Sequence, residues 1–232
     1  DIEEKAKELV KNSKTKEEKA RAIYNFCVDQ IRYVAVEYGD AGYEPHAASE
    51  IFRNKYGDCK DKAVLFVAML KSVGVEAYPV LISTFDSFDV QEDLPSLIFD
   101  HAIAAVEIDG KIIFLDITAT TTSFSDLPSQ DQGRIAMVFF KDRYELIKTP
   151  LYGPDHNKVS VFMSIKIKDS EGIEAIREVK AKGIYEQAQR YWLKFTMPTL
   201  IEEELKTKAR LIAPQAVLRS HEIRNVADLD KE

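Results

Sequence analysis

The sequence predicts an α+β fold, and three observations carry that prediction. Thr15 and Glu18 form the Thr-x-x-Glu signature of a capped helix start. The stretch "KYGDCKDKAVLF", residues 55–66, places Cys59 after a Gly-Asp turn, at the point where apolar residues begin to recur at helical spacing. Further on, "HAIAAVEIDGKIIFLDIT" holds Asp109-Gly110 between two strand-like runs, the strongest hairpin signal in the chain.

From the N-terminal side, a helix over Thr15 to Tyr33 hands over to a short apolar run, "YVAVEYG". The loop "GDAGYEP" follows, then a short helix near Ala47 to Asn54. After Cys59, residues Ala63, Phe66, Val67 and Leu70 share its face of a helix that Gly74 stops. "EAYPVLIS" is a strand candidate, and "SFDVQEDLPSLIFD" is a long loop leading to the hairpin. With a two-residue turn, Ile108 faces Lys111, Ile103 faces Asp116 and His101 faces Thr118. His101 and Asp116 then lie on one face as diagonal neighbours, about 7–8 Å apart at the backbone. A loop one residue longer would put them on opposite faces.

After about Pro150 the character changes. "LYGPDHNK" reads as a linker, Val159 to Lys168 alternates as a strand, "DSEG" is a turn and "IEAIREVKAKG" a second strand. Ile184, Ala188, Trp192 and Phe195 mark a helix, Pro198 starts another, and "AVLRSHEIRNV" is expected as a final strand. The domains expected are residues 1–150, carrying the hairpin and the cysteine helix, and 158–232, a β-rich accessory domain that reads as truncated.

Composition narrows the function. The chain has 232 residues, 45% apolar and 31% charged, with a net charge of -7, and no stretch interleaves clustered basic residues with aromatics. That excludes nucleic acid as the main partner. No run is long enough to span a membrane, and the first residues lack a signal-peptide core. The abrupt start and end suggest a piece of a longer protein; if that protein is exported, the cell envelope or periplasm would be its place. Two cysteines are too few for a disulfide scaffold. Cys27 recurs with Ala20, Ile23 and Ile31 on one helical face and reads as a small core hydrophobe.

Cys59 has no such explanation. At a helix N-terminus, with Asp58 before it as N-cap, the unpaired N–H groups and the helix dipole favour its thiolate and can hold an oxyanion. A thiolate nucleophile needs a His as acid and base, and that His needs an acceptor to fix its tautomer. The hairpin register supplies both, so Cys59, His101 and Asp116 are the expected catalytic residues. A metal site built from Cys59, His101, Asp116 and Asp100 is the competitor, but the paired spacing of structural zinc ligands is missing, so no metal or other cofactor is expected. His46, in "YEPHAASEIF", either caps the helix that follows it or lines the cleft, with the cap favoured. His156 and His221 fall in the linker and the second region, away from this chemistry.

The stretches "YGDCKDKAVLFVAMLKSVGVEAYPVL" and "FDHAIAAVEIDGKIIFLDITA" resemble the core of the transglutaminase-like superfamily, particularly its bacterial members. The shared features are a Tyr-Gly-x-Cys helix start, a His opening the next strand and a Leu-Asp-x-Thr ending the one after. The resemblance covers about residues 15–140 and places nucleophile, base and orienting acid on Cys59, His101 and Asp116. It implies a papain-like fold with the cysteine helix packed on an antiparallel sheet. The region from about 155 resembles, more weakly, the β-rich domain that follows the core in some members.

Against the animal cross-linking enzymes, Asp58 stands where they have Gln, Lys60 where they have Trp, and Ile117 where they have a small residue. No acidic cluster resembles a calcium loop. The expected activity is therefore a thiol enzyme acting on amide bonds of a peptide or protein through a thioester, with water favoured as acceptor. Transfer to an amine is the alternative, and a non-catalytic module gripping peptide or glycan is the second. Tyr33 and Tyr56 are candidates for a further oxyanion donor, and nothing in the sequence separates them.

Overall fold

The computed structural model describes residues 1–232 except 36–38, 85–97, 125, 169–171 and 232. The chain forms two compact units, Asp1–Leu151 and Tyr152–Glu232. Parts of the "YVAVEYG" run, most of the long loop before the hairpin and most of the "DSEG" turn lie outside the described residues.

In the first unit, helices α1 (Ile2–Leu9) and α2 (Lys16–Gln30) each start with a complete capping box, Asp1 with Glu4 and Thr15 with Glu18. A two-residue strand, β1 (Arg32–Tyr33), pairs in parallel with β2 (Tyr56–Gly57). Between them lie a 3-10 turn, Gly39–Gly42, and helix α3 (Ala48–Asn54). The cysteine helix α4 (Cys59–Ser72) follows directly on β2, and Gly74, in the left-handed region at φ 75°, turns the chain out of it.

Strands β3 (Ala77–Ile82), β4 (His101–Ile108), β5 (Lys111–Leu115), β6 (Ile135–Phe139) and β7 (Tyr144–Lys148) form an antiparallel sheet in the order β5-β4-β3-β6-β7. Helix α4 packs on β3 and β4 and against α2. The core between helices and sheet is built from Ile23, Tyr24 and Cys27 of α2, Leu65, Phe66, Met69 and Leu70 of α4, and Ile103 and Ala105 of β4. Cys27 is fully buried, with its Sγ 3.8 Å from Met69 Sδ.

The second unit holds one long hairpin, β8 (Lys158–Lys168) with β9 (Gly172–Lys182), and two helices, α5 (Ile184–Phe195) and α6 (Pro198–Ile212). The run expected as a final strand, residues 216–226, forms none. Part of that tail is held from another direction: Arg190, buried on α5, donates to the carbonyls of Asn225, Val226 and Lys231.

Candidate functional site

Cys59 is the first residue of α4 and is partly exposed. Asp58 caps the helix: its carboxylate accepts from the Asp61 N–H at 3.1 Å, and Asp61 returns the bond to the Asp58 N–H at 3.3 Å. Lys62 N–H donates to the Asp58 carbonyl at 3.0 Å. Among the described residues, the N–H groups of Cys59 and Lys60 have no acceptor, so two first-turn donors stand open beside the thiol. Lys60 itself pairs with the buried Asp58 carboxylate.

Gly57 makes this turn sterically possible. A Cβ there would lie 2.6 Å from Asp61 Cβ and 2.9 Å from its Oδ2. Asp61 is also tied to the preceding loop, accepting the His46 N–H at 2.8 Å and facing His46 Nδ1 at 3.1 Å. His46 therefore does not cap α3, whose N-cap is Ala47 with no side-chain bond. A buried carboxylate on α4 attracts the imidazole more strongly than the first turn of a seven-residue helix does.

The hairpin brings the other two residues together. Asp109 (φ 51°) and Gly110 (φ 74°) are both left-handed, as a type I′ turn requires, and Ile108 pairs with Lys111. The ladder runs to Ala104 with Leu115, so Asp116 emerges one residue beyond it. His101 Nε2 lies 3.2 Å from Asp116 Oδ2. The other oxygen of Asp116 accepts both the N–H and the hydroxyl of Thr118 at 2.7 Å each. Tyr24, buried on α2, donates to the carbonyls of Thr122 (2.9 Å) and Asp116 (3.4 Å), which fixes the segment after β5.

The Cys59 side chain also acts on the His101 imidazole, which sits beside both thiol and carboxylate. Burial alone would lower the imidazole pKa; the hydrogen bonds to Asp116 and Cys59, together with the Asp116 charge, outweigh it and raise His101 to about 11. Burial likewise opposes ionisation of Asp116, but the His101 bond and charge and the two Thr118 donors hold its pKa below the ordinary carboxylate value.

The tyrosines separate. Tyr56 lines a cavity of about 70 Å³ with His46, Glu50 and Asp61, which Cys59 does not line. Tyr33 is partly exposed and pairs with Gly57, two residues before the cysteine. A larger cavity of about 530 Å³, lined by Thr84, Ser129, Arg134 and Lys148 among others, takes in none of Cys59, His101 and Asp116.

Sequence reasoning missed Asp131. This fully buried residue ends a 3-10 turn, Ser129–Asp131, and belongs with His101 and Asp116 to a group whose potential ligand atoms lie within 4.8 Å of one another. Those three could hold a cation. Spacing along the chain cannot reveal such a set, because its members come from three separate segments. Asp100, the other acid weighed as a ligand, instead accepts the N–H and hydroxyl of Thr84.

Helix α4, with Cys59 at its head, packs on the antiparallel sheet as in papain-like folds. Residues 3–113 match the family model of the transglutaminase-like superfamily. The match takes in Cys59 and His101 and ends just before Asp116.

Among solved structures, the chain is similar to a "putative protease" from Parabacteroides distasonis ATCC 8503 (TM-score 0.52, 16% identity, 74% of this chain and 34% of that one). It is also similar to a "putative cysteine protease" from Cytophaga hutchinsonii (TM-score 0.39, 19% identity, 50% of this chain and 36% of that one). The matched region thus spans about a third of each of these proteins. Comparison with curated proteins found no match. The family match and the fold together support a thiol enzyme in general. No described helix is long and apolar enough to cross a membrane.

Proposed function

We propose that this protein cleaves amide bonds of a peptide or protein with Cys59 as nucleophile, His101 as acid and base, and Asp116 as the group that orients His101. The observation that carries the reading is the His101 imidazole, 3.2 Å from the Asp116 carboxylate and raised in pKa by Asp116 and the Cys59 side chain. With Nε2 committed to Asp116, Nδ1 is the nitrogen left for the thiol side.

In this reading the Cys59 sulfur adds to the carbonyl carbon, and the oxygen that becomes negative takes hydrogen bonds from the open first-turn N–H groups. Tyr33, paired beside Gly57, is the better placed of the two tyrosines to add a donor; Tyr56 is the weaker candidate because it lines the His46 cavity. The C–N bond breaks as imidazolium His101 gives its proton to the leaving amine, leaving a thioester on Cys59. Water then attacks the thioester carbonyl, His101 takes the water proton, and the acid leaves as the sulfur recovers its starting state.

Water is favoured over an amine because Lys60 and Asp58 place a charged pair beside the cysteine.

The test has two parts. Intact mass after iodoacetamide at about pH 6 should show one adduct, on Cys59 and not on Cys27, whose thiol is pushed up to about 12 by burial. Turnover of a peptide library, with and without added primary amine, then separates the outcomes: new carboxyl termini support hydrolysis, amine-linked products indicate transfer, and peptide binding without turnover indicates a binding module.

A further inference from the structure

Asp131 is a buried acid beside the site that the mechanism leaves without a task. It is fully buried, and neither of its carboxyl oxygens meets a hydrogen-bond donor among the described residues. Its main chain is pinned, with its N–H on the Pro128 carbonyl at 3.0 Å and its own carbonyl accepting the Thr149 hydroxyl at 2.6 Å. The side chain is thus held against Asp116 and His101 and has no donor of its own.

Two carboxylates this close in a buried site do not both ionise. The donors decide which one keeps the proton. Asp116 receives His101 and two bonds from Thr118, all of which favour its charge, whereas Asp131 receives none. A proton on Asp131 also turns an unsatisfied acceptor into a donor aimed at Asp116, which resolves both problems with one bond.

We propose that Asp131 is a positioning residue: its neutral carboxyl donates a hydrogen bond to Asp116 and so holds the carboxylate that orients His101. The positioning role rests on the triad reading above; the protonated state does not.

The electrostatics agree. Burial and the Asp116 charge raise the Asp131 pKa to about 8, with His101 pulling the other way and Asp100 adding to the rise. The neighbouring Tyr24 is itself shifted up by burial and by the charges of Asp116, Asp126 and Asp131. Since the folded-state pKa is raised, Asp131 binds its proton in the folded state and releases it in the unfolded state between about pH 4 and pH 8. Stability must therefore fall with rising pH across that window because of this residue.

The experiment compares wild type, Asp131→Asn and Asp131→Leu. Urea unfolding midpoints of the wild type should drop relative to Asp131→Asn from about pH 4 to pH 8 and run parallel above it. A pH-independent gap would overturn the protonated state, whatever the activity. So would stoichiometric zinc binding that Asp131→Asn abolishes, because the carboxyl would then be a metal ligand.

For positioning, the readouts are the protected His101 imidazole N–H proton by NMR and the rate of Cys59 alkylation against pH. Asn, which still donates, should keep the imidazole signal and lose the change in alkylation rate that the wild type shows near its Asp131 transition. Leu should lose the signal, and its alkylation at neutral pH should fall about tenfold, the equivalent of one pKa unit.

If Leu does not fold, the comparison of Asn with wild type decides alone, and identical pH profiles overturn the role. Failure of wild-type Cys59 to label selectively would sink the triad reading and leave the unfolding result standing.

Discussion

Replacing Gly57 with Ala should damage the site without touching any reacting group. The added Cβ would meet Asp61 Cβ at 2.6 Å and Oδ2 at 2.9 Å, closer than real Cβ contacts come, so the Asp61 side chain or the turn must move. Asp61 closes the capping box with Asp58 and receives the His46 N–H and ring. Losing the cap costs about 1 kcal/mol. Leaving the His46 and Asp58 N–H groups poorly paired adds about 1 kcal/mol each, with the His46 ring discounted because its side chain is 37% exposed. The expected loss is therefore about 3 kcal/mol, or about 10 °C in Tm for a unit of this size.

The assay is urea and thermal unfolding by circular dichroism, with Gly153→Ala as control, since a Cβ at Gly153 meets nothing within 4 Å. In an Asp61→Ala background the hydrogen-bond part is already gone and only the Cβ contact remains, so the Gly57 step should cost less there. If Gly57→Ala behaves like the Gly153 control, or if the two costs simply add, the account of the Tyr-Gly-Asp-Cys turn is wrong.

Further expectations can be checked with the same reagents. Cys59→Ala should abolish turnover and alkylation while leaving the unfolding curve near wild type; Cys27→Ala should spare both and lose about 1 kcal/mol or more as a buried truncation beside Met69. One Gly inserted between Asp109 and Gly110 should lower turnover as much as Asp116→Ala, and the double mutant should be little worse than either, since both break the His101–Asp116 contact. The raised His101 pKa makes its stabilising contribution complete below about pH 6.5 and lost as pH climbs through about 11. In an Asp131→Asn background, the stability gap between His101 and His101→Gln should accordingly shrink by at most about 1.4 kcal/mol per pH unit across that range, read from urea midpoints.

What was legible in the sequence is what local chemistry determines. Asp109-Gly110 specifies two positive-φ residues, these set the register, and the register puts His101 and Asp116 on one face, so these two residues can be joined by arithmetic alone. The capping boxes at Thr15 and Asp58 are equally local. Strands β6 and β7 are different: β6 is a continuous apolar run that suits a strand or a buried helix, and only its pairing with the distant β3 decides. The run at 216–226 errs in the opposite sense, with a strand-like pattern but carbonyls at Asn225 and Val226 taken by Arg190.

Asp131 shows most sharply where local reading stops. In "PSQDQG" it looks like any loop acid, and no neighbour in sequence hints that its carboxyl is buried. Its environment is made by residues brought from β4 and from the end of β5, and the donors that Asp116 already holds dictate which of the two acids keeps the proton. Cys59, His101 and Asp116 can be singled out as candidates from turns and caps because each occupies a position whose local geometry is written in its neighbours. A group that acts through its neighbour's charge can be named only once the packing has set the distance between them.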